Sequence, residues 1–205
     1  MASARTKRSM PPTAAGSAFV SRRLVLALVI LTALCACSTA PTVPPPPTDG
    51  RFGAPLPTSS RDLRRAAEDP CENMLTDQQV IALGLAPTTA RIVDLPGTRQ
   101  CSWSDEEQRQ TLSLAPWAER DLLVDTYRTR QLAVFRPDEI AGAPVVYQQS
   151  APSAPACTIT AGAAQGQAFE TTWYSLGRAA GSTPCESARR TVETVLSNLP
   201  PAPQK

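Results

Sequence analysis

A run of eleven residues with a single hydroxyl, 24–34, constrains this chain most because it decides in which compartment the rest folds. As a helix the run would span about 16 Å, roughly half the hydrocarbon core of a bilayer. It is therefore too short for a membrane helix and predicts a signal peptide. Leu34-Cys35-Ala36-Cys37 follows, and Leu34 and Ala36 stand at positions −3 and −1 of a bacterial lipobox. We predict a lipoprotein signal peptide over residues 1–36 and a diacylglyceryl lipid on Cys37, and so a place on the outer face of the cytoplasmic membrane.

The leader leaves the export route open. Ser21-Arg22-Arg23 partly resembles a twin-arginine signal, and Sec export fits equally well. A plain secretory leader and an uncleaved signal anchor are the alternatives to lipidation.

Residues 37–68 are predicted to form a lipid-anchored tether rich in proline and threonine. The chain has 21 prolines, about twice the usual share. The run Pro44-Pro45-Pro46-Pro47 favours an extended polyproline II conformation. Threonines among the prolines resemble O-glycosylated stalks. Residues 61–65 are expected to stay solvated rather than to begin a helix.

Four cysteines, Cys71, Cys101, Cys157 and Cys185, remain beyond the leader. An exported domain with four cysteines implies two disulfides. Four zinc thiolates or a thiol-disulfide enzyme would favour a Cys-x-x-Cys spacing, which the sequence lacks.

The residues that flank each cysteine reduce the number of plausible disulfide pairings. Alternating patterns place Cys101 and Cys157 on the apolar faces of strands, whereas Cys71 and Cys185 each follow a proline at a predicted helix start. If helices cover the apolar face, Cys71–Cys101 and Cys157–Cys185 are the shortest bridges from helix start to strand. Cys71–Cys157 with Cys101–Cys185 remains possible.

Residues 69–199 are predicted to fold as one α+β domain, a small antiparallel sheet covered by helices, with residues 200–205 as a flexible tail. A capping box at Thr76 opens a short helix, and apolar spacing indicates helices over residues 118–132 and 184–199. Alternation indicates strands at 101–104, 111–115, 145–147, 157–161 and 167–174. Residues 91–95 are strand-like, residues 162–166 are interpreted as a hairpin loop, and Pro137 and Gly142-Ala143-Pro144 as interruptions.

The order of these motifs resembles one family. Asp69-Pro70-Cys71 before a short helix, Cys101-x-Trp103, the Gly142-Ala143-Pro144 element, the Cys157 strand and Pro184-Cys185-x-x-Ala188 are similar to the actinobacterial exported lipoproteins grouped as domain of unknown function 3558. The resemblance covers most of residues 69–199. It implies an envelope lipoprotein of a high-GC Gram-positive bacterium, with no catalytic residues to carry over. Thr183 stands where the family more often has aspartate.

Composition argues against catalysis and nucleic-acid binding. Histidine is absent, which excludes Ser-His-Asp and Cys-His chemistry and histidine-based zinc sites. Without the five basic residues of the leader, 15 basic and 18 acidic residues remain, so the domain has no basic footprint for nucleic acid.

Three groups of residues could have carried chemistry, and each has a plainer interpretation. The carboxylates Glu119, Asp121 and Asp125 lie among arginines and are interpreted as a charge-balanced helix face, and Asp105-Glu106-Glu107 as a polar turn. Aromatic side chains could line an apolar pocket, but ordinary core packing accounts for most of them; they are Trp103, Trp117, Trp173, Tyr147 and Tyr174.

We therefore expect a membrane-anchored, non-catalytic binding or interaction module without cofactor or metal, which contacts an envelope protein or component. The alternative is a carrier of a lipid or small apolar ligand in a cavity between sheet and helices. Such a cavity would measure several hundred Å³.

Overall fold

The computed structural model describes residues 50–176 and 182–203, which form an antiparallel sheet of seven strands with five helices. The strands are β1 (Ala86–Leu95), β2 (Thr98–Ser104), β3 (Gln110–Trp117), β4 (Val134–Ile140), β5 (Ala143–Gln149), β6 (Ala156–Ala164) and β7 (Gln167–Ser175). The helices are α1 (Arg64–Glu68), α2 (Pro70–Asn73), α3 (Asp77–Ala82), α4 (Leu122–Thr129) and α5 (Pro184–Asn198). The α+β prediction is confirmed. The predicted signal peptide and Cys37 lie outside the described residues.

Two meanders meet in the middle of the sheet. The strand order is β1-β2-β3-β7-β6-β5-β4, and each neighbouring pair is antiparallel. The first meander is β1-β2-β3 and the second is β4-β5-β6-β7. The central strand is β7, the last strand of the second meander, and it pairs with β3 of the first. Charged side chains are concentrated on the edge strands β1 and β4, whereas Arg99 and Glu170 are the charged residues of the five inner strands. Charged edges discourage pairing with another sheet.

One face of the sheet, called here the covered face, carries the main hydrophobic core. Cys101, Trp103, Cys157 and Ile159 all lie on it, as the alternation of β2 and β6 predicts. Helix α5 packs across β6 and β7, and α1 to α3 pack against β1, β2 and β3. The apolar stripe of α5 is buried there; its members are Val192, Val195 and Leu196.

The helix starts form as their sequences dictate. Asp69 accepts hydrogen bonds from the backbone of Cys71 and Glu72 ahead of Pro70, and Thr183 forms a capping box with Glu186 ahead of Pro184. Each start faces a strand cysteine, and disulfides join Cys71 to Cys101 and Cys157 to Cys185, with 5.1 Å between the Cα atoms of each pair. This is the set with the shortest bridges from helix start to strand, and not the alternative Cys71–Cys157 with Cys101–Cys185.

The segment before Asp69 packs on the domain. Leu63 is fully buried and α1 follows it, so the prediction that residues 61–65 stay solvated is wrong. The physical reason is burial of apolar surface, since Leu63 and Ala66 lie three residues apart on one side and both join the main core. The boundary predicted at Asp69 therefore lies inside packed chain.

The segment of residues 51–63 is called here the strap. Hydrogen bonds attach it to the domain at several places. The backbone N–H of Thr58 donates to the carbonyl of Gly142 over 2.9 Å, and that of Arg61 donates to the carbonyl of Ala163 over 2.7 Å. The backbone N–H of Asp62 donates to the carbonyl of Pro200, in the predicted tail, over 2.9 Å.

Two predicted interruptions are parts of a hairpin. Ala141 and Gly142 have φ of 50° and 79° and form the turn between β4 and β5. Pro137 lies within β4, which the sequence did not reveal as a strand. A proline is tolerated there because β4 is an edge strand.

Two further boundaries differ from the sequence prediction. Helix α4 begins only after Asp121, which caps it by accepting the backbone N–H of Val124, and it is shorter than residues 118–132. The hairpin turn between β6 and β7 occupies residues 165–166, so Gly162 belongs to β6. A Cβ on Gly162 would lie 3.0 Å from the side chain of Leu123, so glycine lets α4 approach the sheet closely.

No helix within residues 50–176 and 182–203 is long and apolar enough to cross a membrane.

Candidate binding face of the sheet

The second face of the sheet, called here the open face, is only partly covered. Helix α4 lies over β5, β6 and β7 at one side, where Leu123, Tyr127 and Ala54 form a smaller core with Val146 and Ala168. Beyond α4 the inner strands carry mostly small polar residues on this face; Ser102 and Ser104 are buried, and the others are at least partly exposed. The strand register groups them on this face; they are Ser102, Ser104, Thr111, Ser113, Gln148, Thr158, Thr172 and Tyr174.

Hydroxyl groups of neighbouring strands form pairs across the open face. Ser102 and Ser113 lie 3.3 Å apart, and Ser104 and Thr111 lie 3.2 Å apart, in each case between hydroxyl oxygens. Thr158 and Thr172 form the tightest pair at 3.0 Å. Because a hydroxyl donates once and accepts twice, each pair keeps acceptor capacity for a further donor.

Glu170 lies near the centre of this face, on the central strand. It is paired with Ala115 of β3 and Thr160 of β6, and its side chain is partly buried. Burial raises the pKa of its carboxyl group above the ordinary value. Within the described part of the chain Glu170 has no hydrogen-bond or ion-pair partner. A carboxyl group that loses hydrating water without gaining a hydrogen-bond partner is costly to ionise. A donor from another molecule would offset that cost.

Helix α4 borders the open face with its own charges paired. Asp121 forms an ion pair with Arg51 over 2.9 Å, and Asp125 contacts Arg120 at 2.6 Å and Arg128 at 2.5 Å. The hydroxyl of Thr126 donates to that of Thr160 over 3.4 Å, next to Glu170. The interpretation of this segment as a charge-balanced face is supported for Asp121 and Asp125.

The acidic turn after β2 is likewise structural. A carboxylate oxygen of Asp105 accepts the backbone N–H of Gln110 over 3.0 Å, and Glu107 pairs with Arg109. Among the described residues no group of three or more cysteines and carboxylates is placed to hold a metal ion.

The aromatic side chains divide between the core and the open face. Trp103, Tyr147 and Trp173 are at most 2% exposed and fill the covered-face core, and the Tyr147 hydroxyl accepts a hydrogen bond from Arg189 over 3.1 Å. Tyr174 is 36% exposed and lies on the open face opposite Thr111. Trp117 lies at the end of β3, with the Arg120 guanidinium 5.2 Å from its ring centre.

Glu170 is not among the residues predicted from the sequence, although a signal for it is present there. Residues 167–174 alternate, so Glu170 shares its face with Thr172 and Tyr174 and lies opposite to Phe169, Thr171 and Trp173. A charged residue within an inner strand of otherwise neutral residues is the pattern that could have revealed the site.

Together these features define a disulfide-bonded α+β domain that buries one face of its sheet and carries, on the inner strands of the other face, hydroxyl side chains and one carboxylate. The chain matches the family model described as "Protein of unknown function (DUF3558)" over residues 32–198 and belongs to that family. No curated protein and no solved structure gives a significant match to the chain.

Proposed function

We propose that this protein is a non-catalytic binding module, anchored by a lipid on Cys37 to the outer face of the cytoplasmic membrane, which contacts an envelope partner through the open face. The lipobox supports the anchor, and the two disulfides agree with an oxidising compartment. A chain without histidine, whose carboxylates Asp105, Asp121 and Asp125 cap turns and helices or pair with arginines, agrees with a non-catalytic role.

The composition of the open face is the observation that carries the proposal. A solvated sheet face commonly bears long charged side chains, whose ordering opposes association. Here the inner strands present short hydroxyls already held in pairs, such as Thr158 with Thr172. Such a surface loses little side-chain entropy when a partner packs on it, and Tyr174 supplies an exposed aromatic contact at its margin.

The carrier alternative finds less support in the described residues. Trp103 and Trp173, which could have lined a cavity between sheet and helices, are packed within the core instead. A pocket of about 390 Å³ that is open to solvent lies elsewhere, beside α2 and α3; it is lined by Cys71, Glu72, Leu75, Thr76, Asp77 and Gln78.

Site-specific photocrosslinking on native membranes tests the proposal. A photoreactive phenylalanine derivative replaces Tyr174 on the open face or, as the control, Ile81, which is 61% exposed on α3 at the covered side. We expect a discrete adduct of defined mass from position 174 and none of that mass from position 81. Absence of any adduct from position 174, or the same adducts from both positions, would refute a partner-binding open face.

A further inference from the structure

Glu170 is a partly buried carboxylate for which the described residues supply no hydrogen-bond or ion-pair partner. The inner strands otherwise carry one charged residue, Arg99, and that side chain lies on the covered side at the end of β2. Arg99 donates to the carbonyl of Glu68 over 2.5 Å and lies 3.6 Å from Asp94. It is therefore engaged elsewhere, and the inner strands supply no cation to Glu170.

The immediate neighbours of Glu170 are small and neutral. Ala115 lies opposite on β3 and Thr160 opposite on β6, while Ala168 and Thr172 precede and follow on the same face of β7. Three of these neighbours, Ala115, Thr160 and Ala168, are themselves buried, whereas Glu170 keeps an intermediate exposure. A cation that arrives there meets a carboxyl group that can ionise to pair with it, and hydroxyl oxygens that can accept its remaining hydrogen bonds.

We propose that Glu170 binds a lysine or arginine side chain of a partner polypeptide that lies along the open face. This deepens the proposed function and rests on it, because it names the chemistry of the contact. Charge complementarity supports this proposal. Glu170 is partly buried and has no counter-ion in the described chain, so a cation that pairs with it would offset the cost of its lost solvation.

The extent of the polar surface favours a polypeptide over a small amine. The row of Ser113, Thr172 and Thr158 is partly exposed and crosses three strands, which spans roughly 10 Å at the usual strand spacing. A free amine would engage Glu170 but leave this row unused. An extended polar segment can contact both.

A peptide-binding experiment with the full-length protein tests the proposal. The probes are immobilised ten-residue peptides of serine, threonine and glycine with one central lysine, arginine or glutamine. We expect the wild type to prefer the lysine and arginine peptides at least tenfold over the glutamine peptide, and the isosteric substitution Glu170→Gln to abolish this preference. The control substitution Glu139→Gln removes a carboxylate of the same face on edge strand β4 and should leave the preference intact.

The outcomes separate this inference from the proposed function. Equal binding of lysine and glutamine peptides, or an unchanged preference in Glu170→Gln, overturns the role of Glu170, whereas adducts from position 174 would still support a binding face. Competition by millimolar free lysine as effective as the lysine peptide would overturn the polypeptide partner in favour of a small amine.

Discussion

At the scale of single residues, the position of a side chain in the sheet decides its chemistry. Glu170 and Glu139 are both glutamates of the open-face register, yet Glu139 lies exposed on the edge strand β4 and Glu170 lies partly buried on the central strand. Burial raises the pKa of Glu170 because the charged form loses more solvation than the neutral form.

This shift predicts how Glu170 affects stability. Between the ordinary value of 4.5 and its raised pKa, the folded protein holds a proton that the unfolded chain releases. The contribution of Glu170 to the free energy of unfolding therefore falls as pH rises through that window. We expect Glu170→Gln to be more stable than the wild type at pH 7 in urea unfolding, and the difference to vanish below pH 4.5. An equal or lower stability of Glu170→Gln at pH 7 would show that the carboxylate has a stabilising partner; Glu139→Gln serves as the control.

At the scale of elements, each disulfide joins the start of a helix to an inner strand. Cys157–Cys185 holds α5 against β6, and Cys71–Cys101 holds the four-residue α2 against β2. Helices as short as α2 are not stable by themselves, so their position depends on tertiary contacts. The bridges also close loops with sequence separations of 28 and 30 residues, which restricts the unfolded chain.

Removal of both bridges should destabilise the domain strongly. Each loop contributes about 3–4 kcal/mol in the chain-entropy model, and a domain of this size has only about 5–15 kcal/mol in total. We expect reducing agent to lower the urea midpoint sharply and to expose Trp103, which lies beside Cys101 and is 2% exposed, so that tryptophan emission shifts to the red. Non-reducing peptide mapping is the control. A protein of unchanged stability with four free thiols would contradict the structural role of the bridges.

At the scale of the whole molecule, the strap is a part of the predicted tether that packs on the domain. It runs from the ion pair of Arg51 with Asp121 beside α4 to the buried Leu63, and its Arg61 forms a β-bridge with Pro201 near the other end of the chain. Residues 51–63 of the predicted tether therefore belong to the packed domain rather than to a free linker.

The proposed anchor is tested on the intact chain. If Cys37 carries the lipid, the wild type should partition into the detergent phase and incorporate labelled fatty acid. Cys37→Ala should lose both properties, and the matched control Cys35→Ala should keep them, because Leu34 is too large for the position before a lipidated cysteine. Labelling that is lost in Cys35→Ala instead would refute the assignment.

What the sequence alone determined about this protein is local. Alternation placed Cys101 and Cys157 on one apolar face, and proline with a capping residue set the helix starts at Cys71 and Cys185, because side-chain periodicity and caps depend on neighbours within a few residues. Family membership also followed from these motifs.

Only the tertiary structure decided which parts of the sheet are covered and how each side chain is solvated. Edge strand β4 was not recognised in the sequence because it contains Pro137. Leu63 is buried by a core that distant strands form, and Tyr174 rather than Trp173 faces outward. Periodicity groups Glu170 with Thr172 and Tyr174. Whether a cation lies beside Glu170 depends instead on strands and a helix that are distant in the sequence. Burial and pairing are long-range properties, so they arise only when the whole sheet assembles.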